Sequence, residues 1–314
     1  MKKRLSRLLS CLLIALMLCA LFVPTAFAAE GDATVAGITE YTKVKSVSES
    51  YIVYYDSDLL SSAEKLPVII WANGTFCAPA SYTALLNGLA RKGYIVVASS
   101  DMMSGDGTMQ SKQLDFILAE NEDPNSRFYQ KVDTKNVAAA GHSQGGRSTV
   151  NALNSDSRFK CGISLAGSNT KDENKKLNLT TPILYFSGQL DLIVPANQWI
   201  LPTYSVTKGP ALYACRKWAI HTTCWEHPTE YVTYMDLWCR AHFSNIKNPT
   251  TENAVYEALK KDDDWKDVQG KNLSSSRLAS ILSEGSFLVI AVILVLAASA
   301  LVVLLLKKKK KAAA

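Results

Sequence analysis

The chain has 314 residues, of which 48% are apolar and 20% charged, and its formal net charge is +6. That composition excludes a disordered tail protein and a collagen-like repeat, and it permits one large globular domain or two small ones. Taken whole, +6 points toward an acidic partner such as nucleic acid or an anionic membrane.

The distribution of charge removes the nucleic-acid reading. Lys2, Lys3, Arg4, Arg7 and Lys307 to Lys311 hold nine of the 34 basic residues, and no acidic residue lies beside them. The body between these ends sets 25 basic residues against 28 acidic ones, a net of −3. Residues 1–28 read as a secretory signal peptide. A basic start leads into an apolar run, then Pro24 and the small-residue site Ala26-Phe27-Ala28. Residues 287–306 carry no charge. At about 1.5 Å per residue they match the ~30 Å core of a bilayer as a helix. The Lys-rich tail, residues 307–314, is expected to stay in the cytoplasm. Residues 269–286 read as a linker, so export with a C-terminal membrane anchor is expected, with residues 29–268 outside.

Cys11 and Cys19 fall in the expected signal. Cys161 opens a strand-like apolar run and is the expected buried free thiol. Cys77, Cys215, Cys224 and Cys239 could form two disulfides, and the pairing stays open. No CxxC pattern or His/Cys spacing suggests zinc.

In chain order, Thr42 to Ser46 and Tyr51 to Tyr55 read as antiparallel edge strands. Leu66 to Trp71 is a strand entering a turn at Asn73-Gly74. Helical spacing follows over Tyr82 to Arg91, a strand over Tyr94 to Ala98, and a helix over Thr108 to Ala119. Asn136 to Ala140 is a strand running into Gly141, and Gly145 to Leu153 is a helix. Cys161 to Ala166 and Pro182 to Phe186 are strands, and Asn197 to Ser205 is read as a helix. Ala211 to Ile220 is a strand, and Glu230 to Phe243 a helix. Strands alternating with helices of about ten residues imply an α/β fold, a mostly parallel sheet covered on both faces.

The sharpest local signal is Gly141-His142-Ser143-Gln144-Gly145-Gly146, a G-x-S-x-G motif between a predicted strand and a predicted helix. The tight turn presents the Ser143 hydroxyl at a helix N-terminus. A serine of ordinary acidity needs a base, and the base needs an orienting carboxylate. Asp191 follows a later strand and is the candidate acid. Four histidines are available as base. His142 sits inside the elbow, and His242 lies on a predicted helix. His221 leaves the next strand, 30 residues after Asp191, and is preferred over His227. Two backbone N–H groups must hold the oxyanion, and Gln144 and Thr75 are the candidates. Phe76, Trp225 and, beside the nucleophile, His142 are candidates for the substrate pocket.

With these residues assembled, the sequence resembles the α/β-hydrolase fold, most closely its bacterial cutinase-like and polyester-hydrolase branch. The resemblance covers about residues 68–257. It is carried by Asn73-Gly74-Thr75, Gly93 to Val97, Val132-Asp133 through Gly146, and Leu190-Asp191 to Pro195, and more loosely by a late helix from Trp238 to Tyr256. The chain departs from the family in three places. Thr75 replaces the family's oxyanion-loop aromatic, with Phe76 next to it. The loop Ala166 to Thr170 lacks the tryptophan usual in polyester hydrolases. The segment His221 to His227 replaces the family's H-F. The resemblance implies a serine esterase with no metal or organic cofactor, acting on an ester substrate. A peptidase or amidase on the same fold, and a non-catalytic surface-binding protein, are the alternatives.

Overall fold

The computed structural model describes residues 31–276, apart from residues 36, 47, 48, 63 and 104. The expected signal, most of the linker, the expected membrane helix and the Lys-rich tail lie outside these residues. Among the described residues, no helix is long and apolar enough to cross a membrane.

Three antiparallel strands begin the domain: β1 (Gly31–Val35), β2 (Ile38–Ser46) and β3 (Glu49–Asp56). A short helix α1 (Ser57–Ser61) leads to β4 (Leu66–Ala72). A 3₁₀ turn (Pro79–Tyr82) precedes α2 (Thr83–Arg91), β5 (Ile95–Ser99) and α3 (Thr108–Glu122). Next come β6 (Val132–His142), α4 (Gln144–Ser155), β7 (Cys161–Leu165), α5 (Lys171–Lys176) and β8 (Ile183–Gly188). The chain continues through α6 (Ile200–Val206), β9 (Ala211–Arg216), α7 (Thr223–Glu226), α8 (Pro228–His242), α9 (Glu252–Lys261) and β10 (Trp265–Lys271).

All ten strands form one sheet in the order β1-β2-β3-β5-β4-β6-β7-β8-β9-β10. The six from β5 to β9 run parallel, and β1 to β3 and β10 are antiparallel to their neighbours. The central strands are apolar on both sides because each side meets a helical layer. Ile69, Trp71, Ala138 and Ala140 pack with Leu85 and Leu89 of α2, Met235 and Trp238 of α8, and Leu259 of α9. Val68, Ile70, Val137 and Ala139 face the other way, against Leu114 and Ile117 of α3 and Val150 and Leu153 of α4. This fold places every βα loop of the parallel strands along one edge of the sheet.

Four expectations need correction. The late helix read over Trp238 to Tyr256 is two helices, because Asn245 and Asn248 take left-handed φ of 53° and 51° and Pro249 follows. The domain does not stop at residue 268: β10 pairs with β9 through Lys271, within the segment read as linker. The four cysteines proposed for two disulfides, Cys77, Cys215, Cys224 and Cys239, are free thiols, as is Cys161. Cys239 on α8 hydrogen-bonds Cys161 on β7, the residue set aside from pairing, and burial pushes its thiol pKa up. The strand expected over Ala211 to Ile220 also ends early, at Arg216, and leaves His221 on a loop.

Strand β10 escaped the sequence reading because only one of its residues, Trp265, is fully buried. Trp265 is buried against Phe186, Tyr231 and Tyr234, at ring-centroid distances of 4.8, 5.5 and 5.6 Å. The Trp265→Ala variant is expected to lose about 3–5 kcal/mol of stability through the cavity it leaves. Urea unfolding of the two proteins checks this; an unchanged midpoint would show that β10 is peripheral to the core.

Candidate active site

The site begins at the turn between β6 and α4. Ser143 has φ 56° and ψ −119°, a strained conformation for a residue with a side chain. It persists because its surroundings are close-packed. A Cβ on Gly145 would lie 2.0 Å from the Ala72 carbonyl oxygen, and one on Gly141 would lie 2.3 Å from the Gly145 carbonyl oxygen. Only glycine lets β4, β6 and α4 approach this closely. The Ser143 N–H donates to the Leu165 carbonyl at 2.8 Å, and its carbonyl accepts from Arg147 N at 3.1 Å. The hydroxyl is left projecting at the C-terminal edge of the sheet.

The His221 ring bridges this hydroxyl and the carboxylate of Asp191. Its Nε2 lies 2.9 Å from Ser143 Oγ, and its Nδ1 lies 2.8 Å from Asp191 Oδ2. A carboxylate only accepts, so Nδ1 carries the proton and Nε2 is free to accept from the serine hydroxyl. Asp191 is itself pinned, since Oδ1 accepts from the Ile193 and Val194 amides, each at 2.9 Å. Burial alone would raise its pKa. The hydrogen bond and charge of His221 and the two amides outweigh that and hold the carboxyl below its usual range. The loops carrying acid and base are joined by Leu190 N donating to the Ala219 carbonyl at 2.8 Å and Trp218 N donating to Gln189 Oε1 at 3.1 Å. His227 is exposed at the C-terminal end of α7.

The loop after β4 is fixed on both sides of Thr75. Gly74 N donates to the Tyr82 hydroxyl at 2.9 Å, and Phe76 N donates to the Met102 carbonyl at 3.1 Å. Asn73 Nδ2 also donates to the Ser99 and Asp101 carbonyls. Among the described residues no acceptor takes the Thr75 N–H, and Gln144 is the first residue of α4, where backbone N–H groups lack helical partners. Phe76 has φ 58° and is 50% exposed at the rim.

The other two pocket candidates, His142 and Trp225, both pack against Tyr82. His142 is only 1% exposed. Its Nδ1 lies 3.0 Å from the Tyr82 hydroxyl, and its Nε2 lies 2.8 Å from the His221 carbonyl oxygen. Trp225, half-buried on α7, packs edge-on against Tyr82 and His142. Burial, then the nearby His221, lowers the His142 pKa from its ordinary 6.5 to about 3.

The sequence reading missed Tyr82 and Trp199. Tyr82 reads as the start of a helix, and only the fold carries its hydroxyl under the serine. Trp199 follows the acid loop and is 41% exposed. With Asn169, Thr170, Pro202 and Val206 it lines a cleft of about 560 Å³. Thr170 and Glu173 form a capping box at α5, and Glu173 also pairs with Arg147. Exposed apolar side chains crowd the loops on this edge of the sheet, among them Leu192 (86%) and Trp218 (74%). Among the described residues, no cluster of three or more His, Cys, Asp or Glu side chains could hold a metal ion.

A family model described as PET hydrolase-like matches residues 26–245. No curated protein matches the chain.

The depressed His142 pKa has a consequence for stability. Below about pH 6.5 the unfolded chain takes up a proton on this side chain that the folded chain refuses until about pH 3. Stability should therefore fall with falling pH across that window, by up to about 1.4 kcal/mol per pH unit from this group. Urea midpoints at pH 7 and pH 4.5 should differ more for wild type than for His142→Gln. Equal differences in the two proteins would contradict a buried neutral His142.

Proposed function

The chain belongs to the PET hydrolase-like family, a family of hydrolases that act on esters, and from that premise we propose that it is a serine esterase working through Ser143, Asp191 and His221. The observation that carries this reading is the His221 ring within hydrogen-bonding distance of both Ser143 Oγ and Asp191 Oδ2. In the proposed reaction, Ser143 Oγ attacks the acyl carbon while His221 Nε2 takes its proton. The ester carbonyl oxygen becomes an oxyanion, held by the Thr75 and Gln144 amides. Collapse of this intermediate breaks the bond to the alcohol, which leaves with the proton from His221. Water then attacks the acyl-enzyme, with His221 again as base, and releases the acid and Ser143.

Asp191 keeps the His221 proton on Nδ1 and stabilises the ring when it becomes charged. Phe76, half-exposed next to Thr75, is the proposed contact for one arm of the ester. The proposed setting is the outer face of a membrane. It rests on the signal-like residues 1–28 and on the uncharged run 287–306 followed by five lysines.

Turnover of p-nitrophenyl esters by the full-length chain is the test. Ser143→Ala and His221→Ala should each lower kcat by about 10⁴-fold or more, in line with loss of a member of a catalytic triad. His227→Ala should stay within about threefold of wild type. Equal rates for wild type and Ser143→Ala, with no fluorophosphonate labelling of Ser143, would overturn the proposal.

A further inference from the structure

Four groups form one continuous hydrogen-bond chain behind the serine. Gly74 N–H donates to the Tyr82 oxygen at 2.9 Å. The Tyr82 hydroxyl lies 3.0 Å from His142 Nδ1, and His142 Nε2 lies 2.8 Å from the main-chain carbonyl oxygen of His221. The direction of each bond follows from the groups present. A carbonyl oxygen accepts, so His142 Nε2 must carry the ring's proton. A neutral imidazole with its proton on Nε2 can only accept at Nδ1, so the Tyr82 O–H donates there. The Tyr82 oxygen then has a lone pair for Gly74 N–H. Every member is satisfied by a single arrangement of protons.

The two ends of this chain belong to opposite sides of the reaction. Gly74 immediately precedes Thr75, the proposed oxyanion donor. His221 is the proposed base, and the chain holds it by its backbone rather than its ring. We infer that Tyr82 and His142 are positioning residues that lock the oxyanion loop and the catalytic histidine into one register with Ser143. This inference rests on the esterase reading above.

Packing leaves the chain little freedom. Tyr82 and His142 are both fully or almost fully buried. Trp71 and Trp225 stand edge-on to the Tyr82 ring, with centroids 5.0 and 5.8 Å away. Trp225 also contacts His142 at 6.1 Å. Gly74 closes the remaining space: a Cβ there would lie 2.9 Å from the Tyr82 oxygen, 3.3 Å from His142 Nδ1 and 3.3 Å from Ser143 Cβ. The oxyanion loop, the tyrosine, the elbow histidine and the nucleophile therefore share one tightly filled volume. A buried donor that loses its acceptor moves to find another, and displacement of a catalytic group by about 1 Å can cost on the order of 100-fold in rate.

The test compares Tyr82→Phe, His142→Gln and His142→Leu in the full-length chain, with steady-state kinetics on a p-nitrophenyl ester and thermal melts. Phenylalanine keeps the ring and deletes only the hydroxyl. Tyr82→Phe should lower kcat by about 30- to 100-fold with KM within about threefold of wild type. Glutamine supplies one acceptor and one donor in place of the imidazole nitrogens, whereas leucine only fills space. His142→Leu should fall as far as Tyr82→Phe, and His142→Gln should recover at least about tenfold of that loss, at matched melting temperatures.

Wild-type kcat in Tyr82→Phe overturns the inference while leaving the esterase reading intact. So does equal activity of the glutamine and leucine variants, which would mark position 142 as packing alone and also covers the case in which Tyr82→Phe fails to fold. Absence of Ser143 labelling by a fluorophosphonate in the wild type overturns the esterase reading, and the inference with it.

Discussion

The whole site depends on one strained residue held by close packing. Ser143 sits at positive φ because β6 must stop and α4 must start within a single turn. The cost of that backbone is offset by the buried sheet around it. β6 lies between β4 and β7, and its register with both is set by apolar residues that face two separate helical layers. A shift of one residue would turn each of those side chains to the wrong layer. The backbone position of Ser143 is therefore specified by the core and not by contacts of its own side chain.

From that fixed point the remaining groups are placed by loops at the same edge of the sheet. Loops tolerate variation, but here they are tied to one another. The acid loop is hydrogen-bonded to the histidine loop, the loop after β4 is bound to the loop after β5, and α5 is anchored to α4 through Arg147 and Glu173. These cross-links supply the rigidity that catalysis on loops requires.

Burial acts with opposite results on two groups within the site. Asp191 is buried but receives two amide N–H bonds and the His221 ring, so its charge is favoured. His142 is buried with one donor, one acceptor and the His221 ring beside it, so its charge is disfavoured. One ionised carboxylate and one imidazole that stays neutral down to about pH 3 result. The first can support a positive charge on His221. The second can hold the His221 backbone without competing for its proton.

Much of this protein was determined by its sequence alone. Alternating strand and helix patterns announced the parallel sheet, and the local strand–turn–helix grammar around Gly141 to Gly146 announced the turn that presents Ser143. Asp191 and His221 followed because chain order and spacing along the later strands left few rivals. These features are legible because they depend on residues close together in the chain. The tertiary structure decided the rest. Trp265 makes β10 a strand only by packing on Phe186 and Tyr231. Cys239 meets Cys161 only because α8 crosses β7. His142, which sequence placed at the pocket wall, is turned inward to a tyrosine 60 residues earlier and a carbonyl 79 residues later. No local pattern encodes such a contact, because its partners are brought together only when both faces of the sheet are closed.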